Sequence, residues 1–288
     1  MSTRIRTAVV PAGGLGTRLL PLTRAVPKEL LPVWNRPVLD YAIEEAAAAG
    51  MERVVIVTAP GKEALRNHFA DQGTLLSDSH GAPAHAFSLE FVEQSEPLGL
   101  GDAVRRGAPA GEAIAVLLPD ELLIGPNCLA QLIACRSRDG GSAIAVKRVP
   151  RAEVGRYGIV AVECSGPIVR VRDLVEKPQP AAAPSDLAVI GRYVLAAEVM
   201  ERLAKARPTV NGEVQLTDSI AATCGTSGVS AVEYDGLRFD CGSFAGLLEA
   251  NIAVSQRERA QIAAARPDRP PETPRGAQRE ADREVSAA

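Results

Sequence analysis

The residues best suited to chemistry lie near the start of the chain. Pro11-Ala12-Gly13-Gly14-Leu15-Gly16-Thr17-Arg18 directly follows a short apolar run, and Pro27-Lys28-Glu29 comes ten residues after Arg18. Glycines carry no Cβ, so a loop holding Gly13, Gly14 and Gly16 lets backbone N–H groups close on phosphate oxygens. The loop lacks the third glycine of a Rossmann GxGxxG, and no GK[ST] follows to make a Walker A motif. What distinguishes it is a pair of unlike cations. Arg18 offers a planar two-pronged fork and Lys28 a compact point charge, two complementary ways to neutralise a polyphosphate. The bland alternative is a tight turn flanked by solvated cations.

The surrounding elements must present that loop at the edge of a sheet. Residues Thr7–Pro11 and Arg53–Thr58 are apolar and β-branched, Ser88–Glu93 reads as a third strand, and residues 113–118 are a continuous apolar run ending at Pro119-Asp120. Between them, residues 37–49 pattern as a helix with Pro37 in its first turn and Gly50 at its stop. Residues 62–70 and 101–106 are shorter helical stretches. Strands separated by helices imply a parallel sheet covered on both faces, with ligands beyond the carboxyl ends of the strands. The loop after Val10 and the carboxylate Asp120 both fall at such ends.

From 142 to 175 the pattern changes to three strand-like runs, a meander or mixed-sheet region. Residues 186–195 read as a strand, and 196–205, 214–224 and 244–265 as helices. The fold class expected is α/β: a Rossmann-like mixed, mainly parallel sheet with helices on both faces. Residues 266–288 hold four prolines, many charges and one large aliphatic side chain, Val285. Such a segment buries too little apolar surface to offset its ordering entropy, so a disordered tail is expected.

Composition narrows the function classes. With 32 basic and 35 acidic residues, the net charge of −3 argues against a general nucleic-acid binder. Cys128, Cys135, Cys164, Cys224 and Cys241 form no CxxC pair, which suggests reduced thiols in the cytoplasm. No apolar run reaches the roughly 20 residues of a membrane span, and no secretory signal is read at the N-terminus. His68 reads as a structural side chain on a helix, and His80 and His85 as members of a polar loop.

The segments GGLGTR, PKELLPV and NRPVLDY resemble the opening signature of the sugar-1-phosphate nucleotidyltransferases, most like the bacterial UTP–glucose-1-phosphate uridylyltransferase branch. The resemblance continues in order through LGLGDAV (98–104), LLPDELL (117–123), YGIV (157–160), VEKP (175–178), GEVQLTD (212–218) and RFDCG (238–242). It implies one domain over residues 1–265, with a nucleotide-binding part to about 125 and a sugar-binding part beyond. It also implies UTP and glucose 1-phosphate as substrates, UDP-glucose and pyrophosphate as products, Mg2+ as cofactor, and a homodimer or homotetramer. Other bases, other sugar or cyclitol phosphates, and a non-catalytic regulator are the alternatives.

By the same resemblance, Lys28 contacts the α-phosphate, Arg18 the β- and γ-phosphates, and Lys177 the phosphate of the sugar. Asp120 and Asp240 match the metal-binding aspartates; each could otherwise be a cap or turn residue. Gln94 pairs with the uracil edge, helped by the backbone of Ala12, Gly13 and Gly99. Gly158, Glu176, Gly191 and Glu213 surround the sugar, where carboxylates suit neighbouring hydroxyls. The alternative for Glu213 is a cap on the helix expected after it. One departure touches substrate choice: Asp102 stands where that branch usually has histidine, and it is expected to bring negative charge to the base pocket.

Overall fold

The structure is a computed structural model that describes residues 4–70, 87–108, 110–165, 168–209 and 211–265. The expected tail at 266–288, together with His80 and His85, lies outside the described residues. In chain order the elements are β1 (Thr7–Pro11), β2 (Pro32–Val33), β3 (Arg36–Pro37), α1 (Val38–Ala48), β4 (Arg53–Thr58), α2 (Glu63–Ala70), β5 (Ser88–Glu93) and α3 (Gly99–Gly107). Then come β6 (Ile114–Leu117), β7 (Glu121–Ile124), α4 (Cys128–Asp139), β8 (Ser142–Arg148), β9 (Gly158–Ser165) and β10 (Ile168–Glu176). The last are β11 (Leu187–Leu195), α5 (Ala197–Lys205), α6 (Leu216–Ala221), β12 (Val229–Glu233), β13 (Leu237–Asp240) and α7 (Phe244–Ala265).

Nine strands form one mixed sheet in the order β5-β4-β1-β6-β11-β8-β12-β10-β9. Its first four strands are all parallel. From β11 onward the pairing is antiparallel except between β8 and β12. The mainly parallel character therefore belongs to the N-terminal half, and the meander expected from 142 to 175 supplies β8, β9 and β10 of the other half.

Both faces of the parallel strands are apolar, and successive side chains serve opposite cores because strand side chains alternate. On one face Ala8, Val10, Val54 and Ile56 join Leu39 and Ile43 of α1, Leu65 of α2, and Leu129 and Leu132 of α4. On the other, Val9, Val55 and Val57 join Val104 of α3, Val199 and Leu203 of α5, and Leu216 and Ile220 of α6. Each fully buried Val or Leu contributes about 1.5–3 kcal/mol. The strands are thereby fixed by packing on both faces, and the loops that follow them start from fixed ends.

The chain divides into two units, Met1–Ala250 and Asn251–Ala288. The first contains the sheet and every site residue discussed below. Of the second, residues 251–265 are described and are helical. Among the described residues no helix is long and apolar enough to cross a membrane.

One helix is shorter than its sequence pattern. The run 214–224 is helical only over Leu216–Ala221, because Val214 is drawn into backbone hydrogen bonding with the start of α3. Its N–H donates to the Leu98 carbonyl at 2.7 Å, and its carbonyl accepts from Gly101 at 2.8 Å. Residue 213 is thus held outside the helix, beside Gly99. The sequence reading also passed over α4, β7, β12 and β13.

Candidate active site

The glycine loop is fastened from beneath. Ala12 extends β1 by one bond, its N–H donating to the Val57 carbonyl at 2.7 Å. Lys62 then reaches up from the turn before α2 and donates to the carbonyls of Ala12 and Gly14, both at 2.7 Å, and to the Glu29 carboxylate at 2.9 and 3.0 Å. Glu29 is fully buried. Burial pushes its carboxyl up and the Lys62 amine down, while each partner's charge opposes the shift. One ammonium thus ties the loop to the PKE segment. Gly16 has φ +67°, and a Cβ there would sit 2.8 Å from Thr23 Cγ2, so both conformation and space require glycine. A Cβ on Gly14 would lie 3.4 Å from Lys28 Cε. The loop therefore packs directly against the lysine it was expected to serve.

Two short strands bring the aspartates together. Strand β7 follows Asp120 at once, and β13 pairs with it antiparallel, with Asp240 opposite Glu121. The Cys241 N–H donates to the Asp120 carbonyl at 2.8 Å. A Cβ built on Gly242 would stand 3.0 Å from both Asp120 Oδ2 and Asp240 Oδ1, so these oxygens are at most 6.0 Å apart (3.0 + 3.0). Lys28 Nζ donates to Asp120 Oδ2 at 2.5 Å, and Arg18 grips Asp240 through Nη1 at 2.7 Å and Nη2 at 3.3 Å. Burial raises the Asp120 carboxyl, but Lys28, its own backbone and Arg18 outweigh that and hold it below the usual carboxylate range. Lys28 is lowered by burial and raised more strongly by Asp120 and Glu29. Both stay ionised at neutral pH.

Behind the aspartates, Arg238 holds Glu121 with two bonds of 2.6 Å and donates to the Tyr157 hydroxyl at 3.1 Å. Burial, only partly offset by Arg238 and reinforced by Asp120 and Asp240, pushes Glu121 up to about 7. Arg156 adds a second cation on Asp240, at 2.9 Å.

Beyond this charged group opens a cavity of about 490 Å³ whose walls include Arg18, Glu121, Arg156, Gly158, Glu176, Lys177, Gly191, Glu213, Thr217 and Asp240. Its glycines make room. A Cβ on Gly191 would lie 2.9 Å from Leu118 Cβ and 3.0 Å from Glu121 Cγ. Gly158 leaves space for Glu176, whose Oε2 accepts from Thr217 at 2.7 Å. Lys177 sits at the end of β10 with φ +46°, an uncommon conformation for a residue with a side chain, and its amine lies 3.5 Å from Glu176.

On the loop's other flank, Gln94 closes the set. Its Oε1 lies against Gly13, 3.1 Å from where a Cβ would be. Its Nε2 donates to the Gly99 carbonyl at 3.1 Å and to Asp102 at 2.8 Å. Asp102 is fully buried, and Arg105 and Arg106 both donate to it. The expectation of added negative charge is thus corrected, because two guanidinium groups neutralise this carboxylate. Gly99 in turn touches Glu213, its Cβ position being 2.8 Å from the Glu213 Cβ.

Every candidate site residue named from the sequence falls in this one region. Arg18, Gly158, Glu176, Lys177, Gly191, Glu213 and Asp240 line the cavity; Lys28 and Asp120 join through Arg18's neighbours; Ala12, Gly13, Gly14, Gly16, Gln94 and Gly99 form the loop side. The structure adds Glu29, Lys62, Glu121, Arg156, Arg238 and Gly242. Four of these lie inside segments already marked, PKELLPV, LLPDELL and RFDCG. Lys62 and Arg156 carry no local signal.

The model of the Nucleotidyl transferase family matches residues 7–257. A UTP–glucose-1-phosphate uridylyltransferase of Komagataeibacter xylinus is 41% identical over 256 residues, 83% of this chain and 90% of that protein. One from Pseudomonas aeruginosa is 37% identical over 263 residues, 85% of this chain and 94% of that protein. A solved structure of a UDP-glucose pyrophosphorylase complexed with UDP-glucose superposes with a TM-score of 0.79 at 34% identity, covering 88% of this chain and 100% of that one. These likenesses extend over most of the chain. By sequence and by fold, the chain belongs to the nucleotidyl transferase family.

Proposed function

We propose that this chain transfers a uridylyl group from UTP to glucose 1-phosphate, releasing pyrophosphate and forming UDP-glucose. The observation that carries the reading is the convergence of Arg18, Lys28, Asp120 and Asp240, of which Arg18 and Asp240 line a cavity also walled by Gly158, Glu176, Lys177 and Glu213. Relatives named for this reaction, similar over most of their length, support the same substrates.

The nucleophile is a phosphate oxygen of the sugar phosphate, already ionised at neutral pH. It forms a bond to the α-phosphorus as the bond to the bridging oxygen of pyrophosphate breaks, and the leaving group carries away the electron pair. No general base is needed. The obstacle is repulsion between two polyanions, so catalysis is positioning and charge stabilisation. Lys28 lies where it can exchange Asp120 for the α-phosphate, and Arg18 where it can exchange Asp240 for the β- and γ-phosphates. Lys177 holds the sugar phosphate, while Glu176 and Glu213 accept from sugar hydroxyls. Gln94 reads the uracil edge beside Ala12, Gly13 and Gly99.

Asp120 and Asp240 supply two hard oxygen donors at one spot, which fits a divalent cation that keeps several waters or phosphate oxygens as its other ligands. Magnesium is the cation proposed, and when bound it would supply charge neutralisation at the phosphates. A reducing cytoplasmic setting and a homodimer or homotetramer belong to the same proposal; light scattering of the purified protein checks the latter.

The test is pyrophosphate release from five triphosphates crossed with a panel of sugar 1-phosphates. UTP with glucose 1-phosphate is expected among the best pairs. Release with other pairs only would remove the substrate assignment, and no release with any pair would remove the activity.

A further inference from the structure

A glutamine amide can in principle present either end to a base, and the two ends read opposite partners. We propose that Asp102 is a specificity-determining positioning residue: it fixes Gln94 with its carbonyl oxygen toward the nucleotide, so that the cleft accepts a base carrying a ring N–H and rejects one carrying a ring lone pair. The inference rests on the nucleotide reading above and goes beyond it.

The geometry leaves Gln94 one orientation. Its Nε2 lies 2.8 Å from Asp102 Oδ2 and 3.1 Å from the Gly99 carbonyl, both of which only accept. Turning the amide over would place Oε1 against those two acceptors and forfeit both bonds in a buried setting, where an unpaired polar group is costly. Asp102 cannot become a donor instead. Arg105 donates twice to its Oδ1, at 2.6 and 2.9 Å, and Arg106 donates to its Oδ2 at 2.7 Å. Those guanidinium groups and Gln94 outweigh the effect of burial and keep the carboxyl below its usual range, so it is ionised wherever the enzyme would work. Gln94 Oε1 is left beside Gly13, whose missing side chain permits the approach.

A carbonyl oxygen fixed in this way pairs with the N3–H of uracil or thymine. Cytosine offers a lone pair at N3, and two acceptors would then face each other. Sites built around such a hydrogen bond discriminate strongly, because the wrong ligand leaves a buried polar group unpaired. The discrimination expected is therefore UTP over CTP, two pyrimidines of nearly the same shape. It depends on a residue that touches neither.

Asp102→Asn tests this. The variant's amide can donate toward Gln94, which frees Gln94 to turn. The ratio of kcat/KM for UTP to that for CTP, each with glucose 1-phosphate, is expected to shrink by about tenfold or more. Gln94→Leu, which removes the contact, sets the limit of the effect. A residue serving only packing would lower both substrates alike, so an unchanged ratio with UTP turnover intact in the parent overturns this inference alone. Absence of UTP turnover in the parent would instead defeat the functional reading. Should Asp102→Asn not fold, the unaltered chain still decides. In 15N spectra, with Gln94→Leu marking the resonances, the Gln94 amide protons are expected to resist solvent exchange and to stay protected when UTP binds. Loss of protection on UTP binding would mean that Asp102 and Gly99 no longer hold the amide, which overturns the proposal.

Discussion

The N–H of Cys241 donates to the carbonyl of Asp120 at 2.8 Å, and this bond joins two segments 121 residues apart in the chain (241 − 120). It sets the register of β13 on β7, which in turn sets Asp240 beside Asp120. The space between the two carboxylates is kept open by Gly242, whose φ is not left-handed, so alanine there is tolerated by the backbone but not by the site. Gly242→Ala would place a methyl 3.0 Å from both aspartate oxygens and 2.5 Å from Arg18 Nη2. We expect near-parental melting, turnover reduced by roughly 10- to 100-fold, and a higher magnesium concentration for half-maximal rate. A magnesium titration of pyrophosphate release checks it, and a parental titration curve would remove the two-aspartate assignment.

Lys62 is expected to matter more for stability than its place on a turn suggests. Lys62→Met would strand the fully buried Glu29 carboxylate and free the carbonyls of Ala12 and Gly14. Breaking one side of a buried pair costs about 3–5 kcal/mol. The double variant Lys62→Met with Glu29→Gln should recover part of that loss, because no uncompensated charge remains. Urea unfolding of the parent, the single variants and the double variant measures the coupling. Strict additivity would show that the pair does not act as a unit.

Asp102 also predicts a pH dependence of stability. Its folded carboxyl sits below the usual range, so the unfolded chain binds that proton more readily. The stability it contributes is present above about pH 4, near the unfolded value, and is lost as pH falls through the folded value. Thermal unfolding of the parent between about pH 6 and pH 3 should therefore steepen on the acid side relative to Asp102→Asn. Parallel curves would show that Asp102 and its arginines contribute nothing through ionisation.

Much of the parallel half was legible because its signals are local. Thr7–Pro11, Arg53–Thr58 and Ser88–Glu93 fold as the strands their β-branched patterns mark. The first two are buried along both faces and need no particular partner to look like strands, while Ser88–Glu93 lies at the sheet edge. The 214–224 run misled because helical periodicity competes there with backbone bonds to Leu98 and Gly101, partners more than a hundred residues away. Strands β7 and β13, four residues each, are too short to show a period and exist by virtue of each other. Asp102 was misjudged for a related reason: its charge is visible in the sequence, but the two arginines that cancel it are visible only as neighbours on one turn of α3.

The sequence by itself determined the residue types: a loop that can approach phosphate, cations of two kinds, aspartates at strand ends and carboxylates suited to hydroxyls. It determined the doubly covered parallel sheet as well, since hydrophobic alternation is a property of neighbours along the chain. Only the tertiary structure decided that Asp120 and Asp240 stand side by side, that Lys62 anchors the loop, and that Asp102 and Gly99 hold the nitrogen end of Gln94. Those are properties of distance and of mutually exclusive hydrogen bonds, and a donor or acceptor acquires its role from whatever the fold places within about 3 Å of it.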